Sequence, residues 1–249
     1  MEEFVPDRIK VTAALSKKTL NTGDSASLKI NAVNFFGPPA ANRNYETEIQ
    51  FRQSFFSPDK YEKYNFALAN QTTFFDKIVN EGKTDANGNA AEGITVPALY
   101  KNMGLLSVNI YTTVFDETGR PVSRVANADV FTQNVFYGLG RDGYYYYPLN
   151  QSIKFPLIAL SKDEKVVSAP AKVQVIKHEY RTVLSKSGDY FRYESQKEDK
   201  VLKEEVITVS GENSSYVFVP RAPGDYEVRI YAPNAETYVS RGFYSYGNW

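Results

Sequence analysis

Leu105 to Phe115 reads Leu-Leu-Ser-Val-Asn-Ile-Tyr-Thr-Thr-Val-Phe, with an apolar or β-branched side chain at every second position from Leu106 to Val114. A period of two sends one set of side chains into a core and the other toward solvent, which a strand satisfies and a helix does not. The same period marks Ile9 to Ala13, Ala26 to Val33, Tyr45 to Phe51, Ile153 to Leu160, Lys172 to Lys177, Tyr216 to Val219 and Tyr226 to Tyr231. No stretch of comparable length carries the 3.6-residue apolar stripe of an amphipathic helix. The sequence therefore predicts an all-β fold with little helix. With 19 Tyr and 16 Phe in 249 residues, its aromatic load also suits pleated, half-buried surfaces.

Turn signals punctuate the strands. Asn21-Thr22-Gly23-Asp24 separates the first two, and Phe35-Phe36-Gly37-Pro38-Pro39-Ala40 forces the chain out of its sheet, because prolines cannot donate to a ladder. The Asn87-Gly88 pair suits a type I′ hairpin, and Asp116-Glu117-Thr118-Gly119-Arg120-Pro121 closes a long hairpin that continues through Val122, Val125 and Val130. Between them, Ser57 to Asn80 shows no clean period. Charged Arg181 to Lys203 reads as a long solvent-exposed hairpin. The length favours two domains, and Leu20-Asn21 before one strand is echoed by Leu149-Asn150 before another. Glycines 138 and 140 interrupt the pattern, which places a short junction at Tyr137 to Gly143. The expectation is two immunoglobulin-like antiparallel β-sandwich domains in tandem, residues 1–136 and 137–249.

Charge and composition exclude several functions. Lys plus Arg equals Asp plus Glu at 29 each, so no net positive field gathers nucleic acid. Cysteine is absent, which excludes disulfides, thiolate metal sites and a cysteine nucleophile. No stretch approaches the roughly 18 apolar residues of a membrane helix. The start, Met1-Glu2-Glu3 followed by a strand-like Phe4 to Leu15, reads as a domain cut from a longer polypeptide, with any signal or anchor upstream.

The search for chemistry ends in specific failures. His178, the single histidine, lies in an alternating run as a strand residue, and no nucleophile-elbow pattern accompanies it. Gly82-Lys83-Thr84 resembles the end of a phosphate loop, but the glycine required five residues earlier is Lys77. Asp85, Asn87 and Asn89 have the one-three-five spacing of a calcium loop, yet the bend glycine is misplaced and the twelfth position is Val96. Glu204 and Glu205 point to opposite faces of a strand and form no acid/base pair. One histidine and no cysteine make a transition-metal site hard to assemble. Three glycosylation sequons, at Asn70, Asn150 and Asn213, carry no weight without a eukaryotic source. No catalytic, cofactor or metal residue is assigned. The most unusual local feature is Tyr144-Tyr145-Tyr146-Tyr147, which on a strand sends two rings to each face. One pair is expected in the core and the other in the seam between domains, where it forms a candidate partner surface.

Several of these segments together resemble a known family. Phe4-Val5-Pro6-Asp7-Arg8-Ile9-Lys10-Val11, Gly23-Asp24 and Phe35-Phe36-Gly37-Pro38-Pro39-Ala40-Ala41 are similar to a macroglobulin-like domain of bacterial alpha-2-macroglobulins, in which a strand, a Gly-Asp turn, a second strand and an aromatic corner follow in this order. Gly82 to Ala90, Asp116 to Ser123 and Pro223-Gly224-Asp225-Tyr226 resemble turn motifs of the same family, with the likeness closest over residues 4 to 130. The resemblance implies a non-catalytic scaffold within a large secreted or periplasmic protein, often lipid-anchored, that traps proteases after a bait segment is cut. Its partners are then neighbouring domains of the same chain and, through the whole protein, proteases. The family's Cys-Glu-Gln thioester cannot lie in a chain without cysteine. The alternative reading is an extracellular carbohydrate- or protein-binding module, adhesin-like, that uses Tyr144 to Tyr147 as stacking platforms.

Overall fold

The computed structural model describes residues 8–72, 74–141, 143–187 and 190–247. Phe4 to Asp7 of the family-like motif and Asp142 of the expected junction lie outside them. The chain forms two compact units, Met1–Phe55 with Gln71–Gln133, and Phe56–Asn70 with Asn134–Trp249.

The first unit contains β1 (Ile9–Leu15), β2 (Thr19–Asn21), β3 (Ser25–Asn34) and β4 (Asn44–Gln53). A two-residue strand of the second unit, β5 (Tyr64–Asn65), comes next in the sequence, and then β6 (Ile78–Lys83), β7 (Asn89–Thr95), β8 (Leu105–Phe115) and β9 (Pro121–Phe131) complete the first unit. Its two sheets run β2-β9-β8-β4-β6 and β1-β3-β7. All pairings in them are antiparallel except β2 with β9. The alternation read from the sequence is the alternation of burial. Leu106, Val108, Ile110 and Val114 of β8 share one core with Leu28, Ile30 and Ala32 of β3. Within this core Thr47 and Thr112 face each other across the β4–β8 ladder with buried hydroxyls that find no partner among the described residues.

The second unit adds β10 (Val135–Gly140), β11 (Tyr146–Pro148), β12 (Ile153–Ser161), β13 (Ser168–Ser187), β14 (Tyr190–Ser210), β15 (Ser214–Phe218), β16 (Gly224–Tyr231) and β17 (Tyr238–Tyr246). Its sheets run β15-β12-β10-β5 and β11-β17-β16-β13-β14, with β11 parallel to β17. The core is centred on Phe243, which stacks on Tyr226 at 5.1 Å and meets Phe155 at 5.4 Å. Both units are all-β sandwiches, as the alternation predicts.

Three local expectations are corrected. The boundary placed after Phe136 falls inside β10, a strand of the second unit. Its glycines leave room for neighbours instead of ending the strand. A Cβ at Gly138 would lie 2.7 Å from the Phe66 ring and 2.8 Å from Ile158, and one at Gly140 would lie 2.9 Å from Pro156. The aperiodic stretch after Ser57 is divided. Residues 56–70 join the second unit, where Tyr64 and Asn65 pair with β10 and Phe56 stacks on Phe136 at 4.0 Å. A segment held by aromatic rings and a two-residue ladder leaves no periodic trace.

The third correction concerns the Asn87-Gly88 turn. It does not join a hairpin, because β6 pairs with β4 in one sheet and β7 with β3 in the other. Gly88 has φ +75° while Asn87 is not in the left-handed region, so the turn is not type I′. It is a tight loop closed by Asp85 N donating to Asn89 O at 2.7 Å and Gly88 N donating to Asp85 O at 3.0 Å. Asp116 to Arg120 repeats this construction, with Gly119 at φ +81° and Gly119 N donating to Asp116 O at 3.1 Å. In both loops the aspartate Oδ1 accepts backbone N–H groups two and four residues on.

Candidate functional site

The four tyrosines do not split evenly between two faces. Tyr144, Tyr145 and Tyr146 are 80%, 51% and 64% exposed, and Tyr147 alone packs on the core, edge-to-face with Phe243 at 5.9 Å. The reason is local backbone geometry. Gly143 takes φ +121°, and regular pairing with β17 begins only at Tyr146. The run is thus a bend entering a strand. Tyr145 and Tyr146 stand edge-to-face at 5.0 Å, and Tyr146 meets Tyr244 at 5.9 Å.

Beside them lies a hollow of about 310 Å³ on the solvent face of the five-stranded sheet, lined by Tyr145, His178, Tyr180, Lys197, Asp225, Tyr226, Glu227 and Gly242. Strand register explains why these residues meet. In β16, Tyr226, Val228 and Ile230 are buried, so Asp225, Glu227 and Arg229 occupy the other face. His178 of β13 stands opposite Asp225 of β16 and Asp199 of β14, and Tyr180 stands opposite Lys197. Tyr145 donates its hydroxyl to Asp225 Oδ1 at 3.4 Å. Burial raises the Tyr145 pKa, and the Asp225 carboxylate adds to the shift, so this phenol stays protonated and a donor at neutral pH.

His178 does not belong to a catalytic triad. Its Nδ1 is 2.7 Å from Asp199 Oδ1 and its Nε2 is 3.5 Å from Glu227 Oε2. One ligand atom from each of these three residues lies within 4.8 Å of the others, a grouping the sequence spacing does not reveal. Arg229 already occupies the centre of that charge, with Nη2 2.6 Å from Asp199 Oδ2 and 2.6 Å from Glu227 Oε2. A guanidinium bound to both carboxylates opposes a metal cation there by repulsion and by taking the lone pairs. Burial alone would raise the Asp199 pKa, and the hydrogen bonds from Arg229 and His178 outweigh it, holding the carboxyl below its usual value. The network is a structural lock on three adjacent strands.

The other motifs also have structural explanations. Gly82 lies under the ring of Tyr45, its direct partner across β4 and β6, and a side chain there would collide with that ring. Asp85 Oδ1 is engaged by the backbone N–H of Asn87 and Asn89, each at 2.8 Å. Glu204 bonds Gln174 across the ladder while Glu205 pairs with Lys203 at 2.6 Å, so the two acids work on separate partners. In the first unit a larger cleft of about 880 Å³ includes Arg43, Tyr45, Lys83, Asp116 and Glu117, with Arg43 Nη2 3.5 Å from Glu117 Oε2. Arg43 Nε and Asp116 Oδ2 are buried there without a partner among the described residues, a pairing of donor and acceptor that suits ordered water.

Comparison with known proteins places this architecture. Residues 7–131 match the model of the bacterial alpha-2-macroglobulin MG5 domain, and residues 140–249 match that of bacterial macroglobulin domain 6. The alpha-2-macroglobulin of Pasteurella multocida is 24% identical over 242 residues, covering 91% of this chain and 12% of the relative. The chain thus spans about an eighth of that relative's length. The native conformation of Escherichia coli alpha-2-macroglobulin superposes with a TM-score of 0.63 at 16% identity, over 98% of this chain and 16% of that one. The same protein activated by porcine elastase gives a TM-score of 0.64 at 17% identity, over 97% of this chain and 22% of that one. Two consecutive domain models and a shared sandwich architecture lead to one conclusion: the chain belongs to the bacterial alpha-2-macroglobulin family.

Proposed function

We propose that this chain is a pair of scaffold modules within a larger protease-trapping alpha-2-macroglobulin, and that it carries no catalytic activity of its own. The observation that carries this reading is the pair of adjacent family matches over residues 7–131 and 140–249, on a chain that spans 12% of a relative's length. Domains numbered five and six of a series imply further domains on both sides as the immediate partners. The chemistry agrees. His178 is locked into a network with Asp199, Glu227 and Arg229, and without a cysteine this chain cannot carry a thioester. The E. coli relative has been determined in an elastase-activated state, which supports a protease as the parent's target. A sandwich that buries its own core moves as a rigid body during such an activation. The parent is placed in the periplasm or at the cell surface, in keeping with that target, and a lipid anchor upstream is part of the same proposal.

The test uses the full parent polypeptide mixed with an endopeptidase. Enclosure of the protease leaves its active site intact, so hydrolysis of a large protein substrate is expected to fall severalfold while hydrolysis of a small chromogenic peptide persists. Equal rates on both substrates with and without the parent would remove the proposal.

A further inference from the structure

The hollow beside the tyrosine run is unexplained by a scaffold role, and its chemistry is specific. Two aromatic side chains border it. Tyr145 and Tyr180 are 51% and 58% exposed, Tyr145 just before β11 and Tyr180 on β13. Its floor is kept open by Gly242, where an added Cβ would meet nothing closer than the Tyr226 carbonyl oxygen at 3.7 Å. Side chains at this position of β17 would otherwise rise between Glu227, its register partner, and solvent.

The charges select the ligand. Asp199 and Glu227 share Arg229, each at 2.6 Å, and His178 is within 3.5 Å of both. That leaves Asp225 and Lys197 as one negative and one positive group in the lining. Lys197 lies 4.0 Å from Asp199, which tethers it loosely. An anionic ligand meets the Asp225 carboxylate and a cationic one meets the Lys197 ammonium, so neither sign of charge is favoured. What remains is a neutral molecule that has an apolar face for the rings and hydroxyls that both donate and accept. Asp225 and Glu227 accept, Lys197 and the tyrosine hydroxyls donate, and a pyranose ring supplies the complement. We infer that the hollow between Tyr145 and Tyr180 is a binding subsite for one ring of a neutral saccharide, with Asp225 and Lys197 as its polar determinants. At about 310 Å³ the site is at the small end for ligand pockets. A single ring of about a dozen heavy atoms, at roughly 0.3 kcal/mol per atom, binds with a Kd on the order of millimolar.

The experiment is an amide NMR titration of this chain with two neutral tetrasaccharides, β-linked glucose and β-linked N-acetylglucosamine, with N-acetyl-lysinamide as a cationic control. Saturable shifts are expected for amides around Tyr145, His178 to Tyr180, Asp225 to Glu227 and Gly242 with at least one saccharide and not with the control. Tyr180→Ala and Asp225→Asn, both changes at the open face, are expected to weaken binding about tenfold, with the spectrum elsewhere unchanged. The inference is overturned if neither saccharide gives saturable shifts there, if N-acetyl-lysinamide gives the larger response, or if the shifts survive in both variants. Failure would leave the scaffold reading intact, since that reading does not use this face.

Discussion

Phe243→Ala is expected to be the most damaging single truncation in the second unit, costing about 3–5 kcal/mol. Phe243 is fully buried and lies at the meeting point of both sheets. It stacks on Tyr226 with an interplanar angle of 10° and has Phe155, Phe218 and Tyr147 around its remaining faces at 5.4, 6.3 and 5.9 Å. Four aromatic neighbours anchored on β11, β12, β15 and β16 cannot all collapse into the vacated space, so most of the cavity persists. Urea unfolding followed by probes in each unit reads the effect. With a slope of roughly 2 kcal/mol per molar, the midpoint of the second unit falls by about 2 M, and that of the first stays in place. A second-unit shift below about 0.5 M would mean that the aromatic cluster does not hold the two sheets together.

The first unit offers a matched pair. Gly88 and Gly119 occupy the same position in two loops of the same construction, at φ +75° and +81°. Alanine at either pays the left-handed penalty of about 1–2 kcal/mol. At Gly119 nothing lies within 4 Å of an added Cβ, so that penalty is the whole effect. At Gly88 the new atom would collide with the carbonyl oxygen of Ala32, and that carbonyl already accepts from Ala40 N at 3.0 Å. The Gly88 carbonyl in turn accepts from Ala32 N at 2.8 Å. Backbone must therefore move, and with it the crossing from one sheet to the other. Gly88→Ala is expected to cost about 3–4 kcal/mol, roughly twice the cost of Gly119→Ala. Asparagine, which tolerates the left-handed region, rescues position 119 and not position 88. Equal costs at the two glycines would contradict the close approach at Ala32.

These residues also show what could be read from the sequence. The β8–β9 hairpin was legible because its core face repeats every two residues and its turn carries Asp116 and Gly119. The hairpin of β13 and β14 was legible as to its exposed end but not its full reach from Ser168 to Ser210, since its base alternates like any half-buried strand. Residues 56–70 were not legible, because Phe66 fits the space left by Gly138 and Phe56 stacks on Phe136, both in a strand distant in sequence. The Asn87-Gly88 pair signalled a turn correctly, while its role in crossing between sheets depends on pairings made elsewhere. For the candidate site, Tyr145 stood out in its run, whereas Tyr180, Lys197 and Asp225 gave no signal. They come together through register alone, His178 opposite Asp225 and Tyr180 opposite Lys197. Register is a long-range property that a single sequence specifies only through its packing.

The most direct test of the scaffold claim is the initial rate of protein-substrate hydrolysis by trypsin in the presence of a severalfold molar excess of this 249-residue chain. Scaffold modules without a trap of their own predict an unchanged initial rate. A saturable loss of activity that is complete at one chain per protease would contradict it.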